Sequence, residues 1–183
     1  AQSFSVAENA LVGTSVGTVS ASDPDAGQLL SYSILSGNTN NAFSINSSTG
    51  QVSVLTPSAL NFEATPVFTL SIRVTDNGSP SLNNQANVTI SLLNVNEVPV
   101  IANQSFTAVA NAANNSSVGV VVASDPDAGQ TLTYSIVSGN TGNAFAINSS
   151  NGTITVSNSA ALSLLTSPVF NLVVKADDNG ATP

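Results

Sequence analysis

Phe68, Leu70, Ile72 and Val74 alternate with Thr69, Ser71, Arg73 and Thr75. Successive side chains on a strand point to opposite faces, so this period of two sets one face in a core and the other in water. Ala86, Val88, Ile90 and Leu92 alternate in the same way with Asn87, Thr89 and Ser91. Shorter strands are predicted over residues 4–6, 16–21, 30–34, 43–45 and 51–55. Between them lie turn formers, among them Asp23-Pro24, Ser36-Gly37-Asn38 and Asp76-Asn77-Gly78. No segment keeps a long helical period, and only residues 57–63 (PSALNFE) suggest a single short turn of helix. About seven short strands per 100 residues, spaced by turns, predict a β-sandwich.

The pattern then repeats. A shift of 102 residues carries residues 21–28 (ASDPDAGQ) unchanged onto 123–130. It also carries Tyr32-Ser33-Ile34 onto Tyr134-Ser135-Ile136, Pro66-Val67-Phe68 onto Pro168-Val169-Phe170, and Asp76-Asn77-Gly78 onto Asp178-Asn179-Gly180. A repeat this long without a gap predicts two tandem domains, each of ordinary size. The boundaries read as 1–99 for the first, including a linker over 94–99, and 100–183 for the second. Nothing in the second copy corresponds to residues 82–99, so its last strand is expected at roughly 187 to 197, past Pro183. The expected architecture is therefore all-β: two tandem Ig-like Greek-key sandwiches, the second lacking its last strand, in a piece of a longer array.

Composition narrows the chemistry. Charged residues make up only 7% of the chain, yet 42% is hydrophobic, which is enough to fill real cores and excludes a disordered acidic tail. The net charge is −8 with two basic residues, so phosphate backbones find no counter-charge and nucleic acid is not an expected partner. No run of 18 apolar residues occurs, so no membrane insertion is expected. His and Cys are both absent, which removes Ser/His/Asp and Cys/His catalysis and makes zinc, copper and iron–sulfur sites implausible. No enzymatic activity is expected. What remains is a chain suited to hard cations.

The ten acidic residues are not scattered. Asp23-Pro24-Asp25 and Asp125-Pro126-Asp127 flank prolines, Asp76 and Asp178 precede Asn-Gly, and Glu97 lies in Asn94-Val95-Asn96-Glu97-Val98-Pro99. Asp-Pro and Asp-Asn-Gly are also ordinary turn formers, and turns alone could account for Asp23, Asp25, Asp76 and their copies. Turns do not account for Glu8 and Glu63. Taken in order, these residues resemble the cadherin repeat, especially the version in large bacterial surface proteins. Glu8 matches the early glutamate. The two Asp-Pro-Asp strings match the Asp-x-Asp motif, and Leu60-Asn61-Phe62-Glu63 matches Leu-Asp-x-Glu with Asn in the Asp position. Asp76 and Asp178 match the late Asp. The segment 94–99 is similar to the linker Asp-x-Asn-Asp-Asn-x-Pro, one residue shorter and with Asn first. Nine of the ten acids fall on motif positions; Asp177 does not.

The resemblance implies Ca²⁺ between successive repeats. Calcium takes six to eight oxygens from carboxylates, amides, carbonyls and water. The implied central set is Glu8, Glu63, Asn94, Asn96, Glu97, Asp125, Asp127 and Asp178. Its six carboxylates balance up to three ions, and Asn at positions 61 and 94 lowers the expected affinity or number. Asp23, Asp25 and Asp76 form an upstream half-site. In the second copy Glu8, Asn61 and Glu63 become Ala110, Ser163 and Leu165, so the ladder of sites is expected to stop there.

Two functions follow from the resemblance. One is a calcium-rigidified spacer of an extracellular adhesin or surface filament, whose partners are neighbouring repeats and, by strand addition, identical chains. The other is direct binding of surface polysaccharide or homophilic adhesion. Sugar platforms favour aromatic faces, and this chain has no Trp, two Tyr and seven Phe.

Overall fold

The structure is a computed structural model that describes residues 1–162 and 169–180. The chain divides into two compact units, Ala1–Val95 and Asn96–Pro183.

Unit 1 contains β1 (Gln2–Ala7), β2 (Ser15–Thr18), β3 (Ser31–Ser36), β4 (Phe43–Ile45), β5 (Gln51–Val54), β6 (Val67–Thr75) and β7 (Asn83–Leu93). One sheet runs β1-β7-β6-β3 and the other β2-β5-β4. All pairs are antiparallel except β1 with β7. The alternation read from the sequence places Phe68, Leu70 and Ile72 of β6 beside Val88, Ile90 and Leu92 of β7, facing Phe43, Val52 and Val54 of the second sheet; all nine are buried. Phe43 and Phe68 meet edge to face, with centroids 5.1 Å apart, the geometry ring quadrupoles prefer. Tyr32 packs against the rim of this core, and Tyr134 does the same in unit 2.

Three local features depart from the sequence reading. The strand expected over 16–21 runs instead from Ser15 to Thr18, with a register shift against β5 between Ser15 and Gly17. Beyond it Ser20 is bonded by the Gln2 side chain instead of by a ladder. The strand expected over 30–34 starts at Ser31 and runs past a bulge to Ser36. A 3-10 turn that the sequence did not announce covers Thr39–Asn41, with Asn40 and Asn41 at φ 53°. Asn38 closes it by exchanging two hydrogen bonds with the Phe43 backbone, at 2.8 and 2.9 Å. Asparagine tolerates the left-handed region better than most side chains. The helical turn expected within 57–63 is the 3-10 segment Pro57–Ala59.

Unit 2 contains β8 (Val100–Ile101), β9 (Ser117–Val120), β10 (Ala123–Ser124), β11 (Thr133–Ser138), β12 (Phe145–Ile147), β13 (Thr153–Val156) and β14 (Val173–Asp177). Its sheets are β12-β13-β9, β11-β14 and the short pair β10-β8. Among the described residues β14 has no neighbour on its outer side. Residues 104–109, the counterpart of β1, form no ladder, and in unit 1 β1 pairs only with β7. The same aromatic pair recurs, Phe145 with Phe170 at 5.0 Å. The core is nevertheless thinner: Phe170, Leu172 and Val174 are only partly buried where Phe68, Leu70 and Ile72 are almost fully so. Phe106, the copy of Phe4, is 40% exposed.

Candidate functional site

Two clusters of the singled-out acids have built surroundings, one in each unit. In unit 1, Glu8 follows the end of β1 and is buried, 7% exposed. Its Oε2 accepts from the Phe62 N–H at 2.7 Å and its Oε1 from the Val95 N–H at 2.8 Å. The carboxylate thus ties three segments together: the end of β1, the 60–63 loop and the exit from β7. Glu8→Ala leaves two N–H groups without acceptors. Each charge-assisted bond contributes about 1.5–3 kcal/mol net, so the expected loss for the two is about 3–6 kcal/mol, read as an earlier urea midpoint. Glu63 and Asn94 are exposed, and neither makes a hydrogen bond or ion pair among the described residues. Asn61 caps its own loop, accepting from Ala64 N–H at 2.6 Å.

In unit 2, Asp127 is 5% exposed. Its Oδ2 accepts from the Glu97 N–H at 2.7 Å, and its own N–H donates to Asp125 Oδ1 at 2.9 Å. Asn96 Nδ2 donates to Asp178 Oδ2 at 3.3 Å, and the Gly180 N–H donates to Asp178 Oδ1 at 2.8 Å. Asn96, Glu97, Asp125, Asp127 and Asp178 therefore share one end of the unit. The Asp125 N-terminal to the proline and the Asp178 before Asn-Gly do form the turns their sequences suggest. The turn explanation covers only one oxygen of Asp125. Its Oδ2 is buried and has no hydrogen-bond partner among the described residues. Leaving a buried carboxylate oxygen unpaired is costly, and a hard cation satisfies it. Among the described residues, no three acidic side chains lie close enough to form a metal site by themselves.

Asp23, Asp25 and Asp76 occupy the corresponding end of unit 1. Asp23 Oδ1 accepts from Asp25 N–H at 2.8 Å, and Asp76 Oδ1 from both Gly78 and Leu82 at 2.9 Å. Asp177, the acid outside the motif positions, ion-pairs with Lys175. Arg73, the counterpart of Lys175, is exposed on β6.

Two residues that the sequence reading left unassigned take part. Gln130 Nε2 donates to Asn96 Oδ1 at 2.9 Å, and Gly180 leaves the space in which the Asn96 carboxamide lies, because a Cβ there would run into it. The signal was present: Gln closes both copies of ASDPDAGQ, and Gly closes both copies of Asp-Asn-Gly.

Comparison with known proteins fits these positions. The family profile of the cadherin domain matches residues 2–93 and 104–183. The chain is similar to human Protocadherin Fat 1, 36% identical over 185 residues, covering 97% of this chain and 4% of that protein. It is also similar to mouse Cadherin EGF LAG seven-pass G-type receptor 3, 37% identical over 179 residues, covering 95% of this chain and 5% of that protein. It therefore spans about a twentieth of the length of these relatives. Among solved structures, it resembles mouse cadherin-23 EC22-24 with a TM-score of 0.70 and 31% identity, covering 98% of this chain and 57% of that one. It resembles human protocadherin-24 EC1-2 with a TM-score of 0.75 and 27% identity, covering 99% and 85%. These relatives are animal proteins and do not support the bacterial version of the repeat; that association rests on the residue pattern alone.

Proposed function

The chain belongs to the cadherin family, as two tandem extracellular repeats of a non-enzymatic adhesion module, and from that premise we propose that it is a calcium-rigidified spacer in a longer adhesin or surface filament. The observation that carries the calcium reading is the buried, unpartnered Asp125 Oδ2 beside the buried Asp127. Asp125, Asp127, Asp178, Asn96 and Glu97 supply oxygens from unit 2, and Glu8, Glu63 and Asn94 from unit 1. Glu8 bonds the Val95 N–H at the end of unit 1, and Asp127 bonds the Glu97 N–H at the start of unit 2. Calcium there neutralises carboxylates that otherwise repel. The backbone bonds to Glu8 and Asp127 leave lone pairs free, since each carboxylate oxygen accepts more than one contact.

Calorimetric titration tests this reading. Glu63→Leu is the informative variant, because Glu63 is exposed and its loss breaks no bond of the fold. We expect an unchanged melting temperature and calcium binding weaker by roughly tenfold, since affinity follows ligand charge. No heat from the unaltered chain would sink the proposal, and full affinity in the variant would remove Glu63 from the ligand set. The same substitution occurs naturally in the second repeat, where Leu165, with Ala110 and Ser163, replaces the set. That end of the second repeat is accordingly a calcium-free joint.

Homophilic contact is the second reading. One solved relative is described as a protocadherin gammaB7 EC3-6 cis-dimer, 27% identical. Sedimentation of the chain in calcium discriminates, because a pure spacer stays monomeric. Polysaccharide binding has weaker support: among the described large apolar side chains that are exposed, Phe106 is the one aromatic.

A further inference from the structure

Asn-Gly is the dipeptide at which a chain most readily modifies itself. The glycine nitrogen gives its proton to solvent base and attacks the asparagine Cγ, since no Cβ on glycine shields it. The bond from Cγ to Nδ2 breaks, and ammonia leaves with a proton from water. A second water then opens the five-membered succinimide to aspartate or isoaspartate. The reaction needs a free glycine N–H and a carboxamide able to swing over it. Three such pairs occur: Asn77-Gly78, Asn151-Gly152 and Asn179-Gly180. All three asparagines are exposed, so exposure does not distinguish them.

Their bonds do. In the Asp-Asn-Gly turns the glycine N–H is held by a carboxylate: Gly78 donates to Asp76 Oδ1 at 2.9 Å, and Gly180 to Asp178 Oδ1 at 2.8 Å. The asparagine is held as well, by a backbone far along the chain. Asn77 Oδ1 accepts from the Leu29 N–H at 2.8 Å, and Asn179 Oδ1 from the Thr131 N–H at 2.7 Å. Asn151-Gly152 lies in the short loop between β12 and β13, and its partners all belong to that loop. The Gly152 N–H donates to the neutral Asn148 carbonyl at 2.9 Å, and Asn151 Oδ1 accepts from Thr153 N–H at 3.0 Å. In unit 1 the same loop has Thr49-Gly50, with Gly50 N–H on the Asn46 carbonyl at 2.9 Å. The loop therefore folds without an asparagine at this position.

We infer that Asn151 is the site at which the folded chain deamidates, and that Asp76 and Asp178 guard the other two pairs. A bond to a charged acceptor is about twice as strong as one to a neutral acceptor. Freeing Asn77 or Asn179 also requires two distant segments to part, whereas a hairpin loop opens on its own at lower free energy. The guarded positions are those where the product does harm. Isoaspartate at 179 adds a backbone carbon just before Gly180, which leaves the space for the Asn96 carboxamide, and a carboxylate beside Asp178. At Asn151 the change stays within a loop.

The test is incubation of the whole chain in mildly alkaline chelator, with isoaspartate at each site measured by peptide mapping and mass spectrometry. Chelator keeps calcium out of the comparison. Asn151 should convert roughly tenfold faster than Asn77 or Asn179, because its lock is local and uncharged. In urea the three rates should converge. Asp76→Ala should raise the Asn77 rate toward that of Asn151 and leave Asn151 and Asn179 unchanged. Asp76→Asn, whose carboxamide oxygen still accepts from Gly78, should keep most of the protection. Asn77 or Asn179 keeping pace with Asn151 in the folded, unaltered chain overturns the inference, whether or not Asp76→Ala folds. So does a folded Asp76→Ala chain with an unchanged Asn77 rate, or one in which all three sites speed up together, which would mean general loosening.

Discussion

Small-angle scattering should report a longer, stiffer particle in calcium than in chelator, and Asp127→Ala should abolish that difference at calcium concentrations that saturate the unaltered chain. Asp127 is buried, holds the linker through the Glu97 N–H, and anchors the turn made with Asp125. Removing a buried charged partner costs about 3–5 kcal/mol, and each 1.4 kcal/mol is about tenfold in affinity, so the expected loss is on the order of 100-fold or more. Asp23→Ala should change the affinity little, because its neighbours in unit 1 lie at the end away from Glu8 and Glu63. Identical scattering profiles with and without calcium would remove the rigidifying role. A larger effect from Asp23→Ala than from Asp127→Ala would mean that the ligand set is misassigned.

Phe68→Ala and its repeat counterpart Phe170→Ala should differ widely in cost. Phe68 is 2% exposed, locked edge to face with Phe43 and covered by β7 through Ile90. Truncating so enclosed a ring loses its transfer energy and leaves a cavity, about 3–5 kcal/mol. Phe170 makes the same ring contact with Phe145, yet it is only partly buried and β14 has no outer neighbour among the described residues. The cavity it leaves opens to water, so less than about half of that cost is expected. Hydrogen exchange resolved by segment measures each unit separately. Equal losses in the two units would mean that the second core is closed by something the pairing of β14 does not reveal.

The sequence by itself determined the fold class and the doubling. Period-two alternation from Phe68 to Val74 and from Ala86 to Leu92 became β6 and β7 because a strand with one apolar face has a single way to bury it. The gapless 102-residue repeat then required two units with equivalent strands. The sequence also grouped the acids by end, because turn motifs such as Asp-Pro-Asp and Asp-Asn-Gly occur where strands stop. Only the tertiary structure decided how those groups are used. It made Glu8 an acceptor for two backbone N–H groups 54 and 87 residues away. It set Gln130 and Gly180 around Asn96, and it left one oxygen of Asp125 buried and unpaired. Such partners are distant in the chain, and local pattern carries no information about them.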